Sequence, residues 1–201
     1  MGLLRVVDRG IALILLAALS PLVFGLACAL RLLSRRSPLV AHRRVGREGV
    51  PFWMLKFRTM WAQSPRAMPE GGWVQCVESS STEGKRKADP RVTSAFAGWL
   101  RVHSLDELPQ LWHVVRGEMS LVGPRPLIAE EIRKHYRADG RLLLSVPPGI
   151  TGLWQTMGRN RLTYPQRRRL DLFLVRHYRW KLYFRVLVKT LPRMISGAGA
   201  W

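Results

Sequence analysis

The sequence predicts a mainly helical α+β fold. An N-terminal re-entrant membrane helix-break-helix occupies residues 1-36. A small cytoplasmic domain over 37-201 adds short strands and interfacial amphipathic helices. Three observations carry this. Ile11 to Leu30 contains no charged residue, and at about 1.5 Å per residue such a helix roughly matches a bilayer's hydrocarbon thickness. Strand-like alternation is confined to short runs such as Phe52, Met54 and Lys56, while longer apolar patterns follow helical spacing. Tyr164 to Thr190 interleaves Arg and Lys with Phe, Tyr and Trp, a composition suited to an anionic headgroup layer. An ordinary core helix with a solvated face is the competing account of that stretch.

The chain of 201 residues carries 33 basic against 13 acidic residues, a net charge of +20. That excess calls for an anionic partner: nucleic acid, an anionic membrane or phosphate-bearing substrates. Nucleic acid is the weaker choice, because the chain has no recognition helix or stacking platform. Cys28 and Cys76 have no metal or redox spacing, so a reducing compartment is the default.

In the first segment, a cleaved signal peptide would suit Arg5 and Arg9. Asp8, the length of the apolar run, and Arg31, Arg35 and Arg36 argue for a retained membrane segment. Ser20-Pro21 lies at its midpoint. Pro21 cannot donate to the Ala17 carbonyl and clashes with it, which predicts a kink or break. Both flanks are basic, and basic flanks stay cytoplasmic. A hairpin entering and leaving by one face satisfies both flanks; a kinked spanning helix satisfies one. Spanning helices tolerate proline, so the physics favours re-entry only modestly. In either topology the heavier charge, Arg31 to Arg47, keeps the remaining chain cytoplasmic.

Pro51 to Met60 predicts a strand, bounded upstream by Gly46 and Gly49. Lys56 and Arg58, two apart, would share a face and could hold an anion, although alone they read better as surface cations. Gln63 to Ala88 reads as a mobile loop with a helical piece at Trp73 to Val77. Ala95 to Val102 reads as a helix that ends near Arg101.

Ser104-Leu105-Asp106-Glu107-Leu108-Pro109-Gln110-Leu111 then sets two adjacent carboxylates in a cationic chain. Pro109 suits the first position of a helix that stops at Gly117. Alternatively Ser104 is the cap, Glu107 its capping-box partner, and Pro109 distorts the first turns. Taken alone, the octapeptide favours a plain reading, with Glu107 a cap and Asp106 solvated. Farther on, Arg125 stands between Pro124 and Pro126. A pre-organised guanidinium loses little freedom on binding phosphate, with a structural salt bridge as the alternative. Leu127 to Tyr136 predicts an acidic-to-basic helix, and Thr151 to Met157 a strand. His103 and His113 read as structural.

Several motifs occur together and in order: Lys56-Phe57-Arg58-Thr59-Met60, Asp89-Pro90-Arg91-Val92-Thr93, Leu100-Arg101, Ser104 to Gln110, Met119 to Pro126, Pro148-Gly149-Ile150-Thr151-Gly152 and Gly158-Arg159. On these the chain resembles the bacterial sugar transferase family, the monotopic phosphoglycosyl transferases, in its minimal form. The resemblance implies transfer of a sugar phosphate from a UDP-sugar to a polyprenyl phosphate, with release of UMP, at the cytoplasmic face of a bacterial inner membrane. It implies that Asp106 is the nucleophile, that Glu107 completes its dyad, and that Mg²⁺ binds at both. Arg101 and Arg125 are the matching arginines and candidate phosphate contacts, joined by Lys56 and Arg58 and by Arg159, which either contacts nucleotide or phosphate or lies at the surface. Asp171 matches a family aspartate near the site, but Leu174-Val175 follows where the family usually has Tyr-Val. Ser20-Pro21 matches the break of a re-entrant helix. The sugar, the glycan pathway and homodimer formation are left open.

Overall fold

The computed structural model describes residues 2–61, 72–78, 90–158 and 161–196. Most of the loop predicted at Gln63 to Ala88 lies outside them, as does Arg159. Gly2–Ser34 form a single helix, α1, of 33 residues. It stays helical through Pro21, where the sequence predicts a kink or break. The Ser20 hydroxyl donates to the Ala17 carbonyl at 2.8 Å, taking the acceptor that Pro21 cannot serve.

Both halves of α1 pack on the rest of the chain. Leu4 and Ala12 join a core with Phe52, Leu111, Val114, Leu121 and Tyr183. Leu26, Ala27 and Leu30 pack with Phe57 and Leu100. Leu3, Val6, Ile14, Phe24 and Leu32 remain exposed on α1. Near its start, the buried Asp8 carboxylate accepts the Leu121 N–H at 3.2 Å and the Tyr183 hydroxyl. Near its end, Arg31 donates to the Gly72 carbonyl at 3.2 Å.

β1 (Leu39–Val45) pairs antiparallel with β2 (Pro51–Phe57) and parallel with β3 (Val74–Val77). The hairpin turn needs Gly49, which has φ +86°. The helical piece predicted at Trp73 to Val77 is thus a strand. Its four residues have little helical drive of their own, and the open edge of β1 supplies backbone partners.

α2 (Ala95–Val102) leads through a 3₁₀ segment, Leu105–Gln110, into α3 (Leu111–Arg116). Gly117, φ +80°, ends α3 where the sequence predicts. β4 (Ser120–Val122) pairs in parallel with β5 (Gly149–Thr151). The strand predicted over Thr151 to Met157 stops at its first residue, and Leu153–Met157 form a helix, α6. The Thr156 N–H bonds back to the Gly152 carbonyl at 3.2 Å, closing a helical turn. The helix predicted at Leu127 to Tyr136 begins as a turn, α4 (Ala129–Glu131), and widens into a π-turn over Ile132–Tyr136.

After α5 (Gly140–Leu143) come α7 (Tyr164–Arg176) and α8 (Trp180–Ser196). Thr163 and Gln166 form a capping box at the start of α7. α8 buries Tyr183 and Val186 and exposes Trp180, Phe184, Val188 and Leu191 as a stripe. That stripe is the amphipathic pattern expected of an interfacial helix.

Burial and then Asp8 push the Tyr183 phenol well above its ordinary range, so it remains a donor. Tyr183→Phe should lower stability by about 1.5–3 kcal/mol, the usual scale for a hydrogen bond to a charged group. Thermal and denaturant unfolding in detergent would measure it.

Candidate active site

The carboxylate pair lies in the first turn of the 3₁₀ segment. Ser104 stands before it in the left-handed region at φ 58° and makes no side-chain cap. Its carbonyl accepts the Glu107 N–H at 3.2 Å. The capping-box reading therefore fails, as does a helix starting at Pro109. Pro109 has no N–H with which to close an α-turn onto Leu105, and the chain winds into the tighter form first.

Asp106 is 3% exposed. The Glu107 and Lys56 side chains are 19% and 18% exposed, with Lys56 Nζ 2.7 Å from Glu107 Oε1. At this burial the pair is less screened than a surface ion pair. Arg101, buried in the last turn of α2, reaches Thr59 Oγ1 at 3.5 Å.

Arg58 is fixed by partners of its own. It lies just beyond β2, is buried, and donates to the Ser37 carbonyl at 2.7 Å and to Gln75. These bonds hold the hairpin against the segment after α1 and against β3.

His113 has a structural role, as the sequence suggests. Its Nε2 accepts the Leu55 N–H at 3.0 Å, so its proton sits on Nδ1, 2.6 Å from Glu118 Oε2. This bond occupies an outward amide of the edge strand β2, one residue from Lys56.

A second group forms around Arg125. Gly123 and Gly149 cross so closely that a Cβ on Gly149 would lie 2.0 Å from the Gly123 nitrogen. Two glycines therefore set the start of the Pro-Arg-Pro segment. The Arg125 guanidinium lies 5.8 Å from the Trp154 ring centroid. Asp171, 2% exposed, accepts the Tyr136 hydroxyl at 2.8 Å. Burial pushes its carboxyl up to about 7, against the opposing pull of Tyr136 and Arg125.

The β1–β2 register links the two groups. Val40 pairs with Lys56, His42 with Met54 and Arg44 with Phe52, so Lys56, His42 and Arg44 share a face. Burial, then Arg44, Lys56 and Arg58, drive His42 down to about 3, and it is neutral at physiological pH. The sequence reading passed over His42 and Arg44 as part of a basic flank. Alternation along β1 was the signal that could have found them.

The chain matches the family model described as bacterial sugar transferase over residues 2–197. It is 37% identical over 199 residues to the exopolysaccharide production protein ExoY of Sinorhizobium fredii, covering 98% of this chain and 87% of that protein. It is 41% identical over 169 residues to a UDP-galactose-lipid carrier transferase of Erwinia amylovora, covering 82% of this chain and 35% of that protein. It is 36% identical over 198 residues to an undecaprenyl-phosphate galactose phosphotransferase of Salmonella typhimurium, covering 89% and 41% respectively. The chain thus spans most of the ExoY relative but well under half of the other two.

The Asp171 carboxyl yields a pH prediction. Its folded value of about 7 lies above the ordinary 3.8, so folding favours the protonated form. The stability it contributes is full below pH 3.8 and is lost as pH rises through 7. Relative to the parent, Asp171→Asn should therefore gain stability as pH rises across that window and level off above it. Denaturant unfolding of both proteins at stepped pH would show this.

Proposed function

Because the chain belongs to the bacterial sugar transferase family, we propose that it moves a sugar 1-phosphate from a UDP-sugar to a polyprenyl phosphate and releases UMP. The step would begin the membrane-bound phase of a bacterial glycan such as an exopolysaccharide. The observation that carries this reading is the adjacent Asp106 and Glu107 on one 3₁₀ turn, with Lys56 held on Glu107.

In the proposed route an Asp106 carboxylate oxygen bonds to the sugar-bearing phosphorus. The bond from that phosphorus to the bridging oxygen breaks, and UMP leaves with the electron pair. A phosphate oxygen of the lipid then attacks the same phosphorus and displaces Asp106, which returns as a carboxylate. An anionic oxygen needs no base for this attack. The obstacle is repulsion between carboxylate and pyrophosphate, and cations fixed beforehand offset it without reorganising. Lys56 and Arg101 serve near the dyad, and Arg125 at the second group.

Among the described residues there is no cluster of three or more His, Cys, Asp or Glu. Two adjacent carboxylates nevertheless suit Mg²⁺, which is usually held by one or two carboxylates together with substrate phosphates. Asp106 and Glu107 would hold the ion, which when bound would neutralise phosphate charge.

We also read α1 as entering and leaving the bilayer by the cytoplasmic face. Its length of about 50 Å would otherwise part its ends across the membrane. Instead Asp8 near the start and Leu26 to Leu30 near the end both pack on the same domain. A peptide tag on the N-terminus should react with impermeant reagents only after the cytoplasmic side is opened. Periplasmic reactivity would refute this topology.

Two substitutions test the chemistry with the full chain in membranes and labelled UDP-sugar. Asp106→Asn should abolish UMP release and protein labelling while leaving membrane association intact; near-normal release would remove Asp106 as nucleophile. Lys56→Met should slow release by about 10²-fold, the scale for losing one fixed electrostatic contact.

A further inference from the structure

Three arginines from three parts of the chain meet around Gly123–Pro126, and the family resemblance singles out only Arg125. Arg167, from α7, lies 4.9 Å from the Trp154 centroid that Arg125 also approaches. Arg44 arrives on β1. The next residue, Val45, donates its N–H to the Leu127 carbonyl at 2.9 Å. Val45, Pro124, Arg125 and Leu127 line one small cavity. All three arginines are partly exposed.

Their charge is only partly compensated. Among the described residues none of the three forms an ion pair with a carboxylate. Arg44 and Arg167 donate to backbone carbonyls, those of Arg43 at 3.2 Å and Leu162 at 3.0 Å. The nearby acids offset part of this charge from a distance: Asp171 attracts Arg125 and Arg167, and Glu131 attracts Arg44. Asp171 holds Tyr136, and Glu131 accepts the Ile128 N–H at 3.1 Å. The crowding is felt: burial, then Arg125, press Arg44 down to about 10 and lower Arg167 as well. An anion seated among these guanidiniums would offset their mutual repulsion.

We propose that Arg44, Arg125 and Arg167 form one seat for a phosphate-bearing anion. This extends the proposed transferase reading, on which the biological ligand rests. Both substrates carry the required chemistry, the donor as a nucleoside diphosphate and the acceptor as a lipid phosphate. Trp154 orients two of the guanidiniums and the flanking prolines restrain Arg125, so little side-chain freedom is lost on binding. A ligand binding only the folded form also raises its stability.

The test uses the full chain in detergent without divalent metal, with inorganic pyrophosphate titrated by calorimetry and thermal shift. Arg44→Gln and Arg167→Gln should each weaken binding by about tenfold or more and reduce the pyrophosphate-induced rise in Tm. Arg43→Gln, on the opposite face of β1 with 58% side-chain exposure, is the control and should bind as the parent does. Should a Gln variant fail to fold, the corresponding Lys variant decides. Intermediate affinity supports the seat, since charge is kept and the fork lost; parental affinity overturns it. Folded Gln variants that bind like the parent also overturn it.

Two kinetic arms then identify the occupant. Slowed UMP release without lipid assigns the seat to the donor. Normal release with slowed transfer to polyprenyl phosphate assigns it to the acceptor. Parental rates in both steps refute a role in turnover. An active Asp106→Asn would defeat the proposed chemistry but leave the pyrophosphate result standing, so the two ideas fail separately.

Discussion

A carboxylate at the start of a membrane helix must be paid for in hydrogen bonds, and Asp8 meets that demand by reaching into the folded domain. The Leu121 amide and the Tyr183 hydroxyl bind it, tying α1 to β4 and α8 at one point. An ionised carboxylate left alone in hydrocarbon is costly. The bond therefore helps set which stretch of α1 rests on the domain and which side chains stay exposed. β4 then leads directly to Gly123 and the Pro-Arg-Pro segment. The depth of the helix and the placement of the candidate phosphate site consequently share one anchor.

From that anchor the electrostatics divide into two groups joined by a hairpin. Lys56 ends one side of the shared β1–β2 face, beside Glu107 and Asp106; Arg44 stands on the other side, near Arg125. Neutral His42 lies between them. Fixing these cations takes work elsewhere in the fold. His113 holds the backbone beside Lys56, and Trp154 lies under Arg125 and Arg167. A net charge of +20 is thus partly concentrated where phosphate chemistry would require it.

Much of this was legible from residue order. The long uncharged run, the helix stop at Gly117 and the carboxylate pair are local signals, and each appears where expected. The misreadings differ in cause. Trp73 to Val77 has weak periodicity, and its strand exists because β1 offered an edge. Thr151 to Met157 changes from strand to helix at Gly152. Pro21 was read as a kink or break; the helix is unbroken there, and the neighbouring Ser20 hydroxyl takes the stranded carbonyl. For β3 a distant strand outweighed a modest intrinsic preference, whereas at Gly152 and Pro21 the deciding bonds are local.

Order along the chain was enough to specify a membrane-associated helix, a cationic domain and an adjacent pair of acids, because composition and short-range spacing act within a few residues. It could not specify that Asp8 meets Tyr183, that Arg58 reaches Ser37 and Gln75, or that Arg44 and Arg167 join Arg125. Those meetings bring together residues far apart in the chain. They depend on register, packing and the cost of burying charge, which arise only when the whole fold closes.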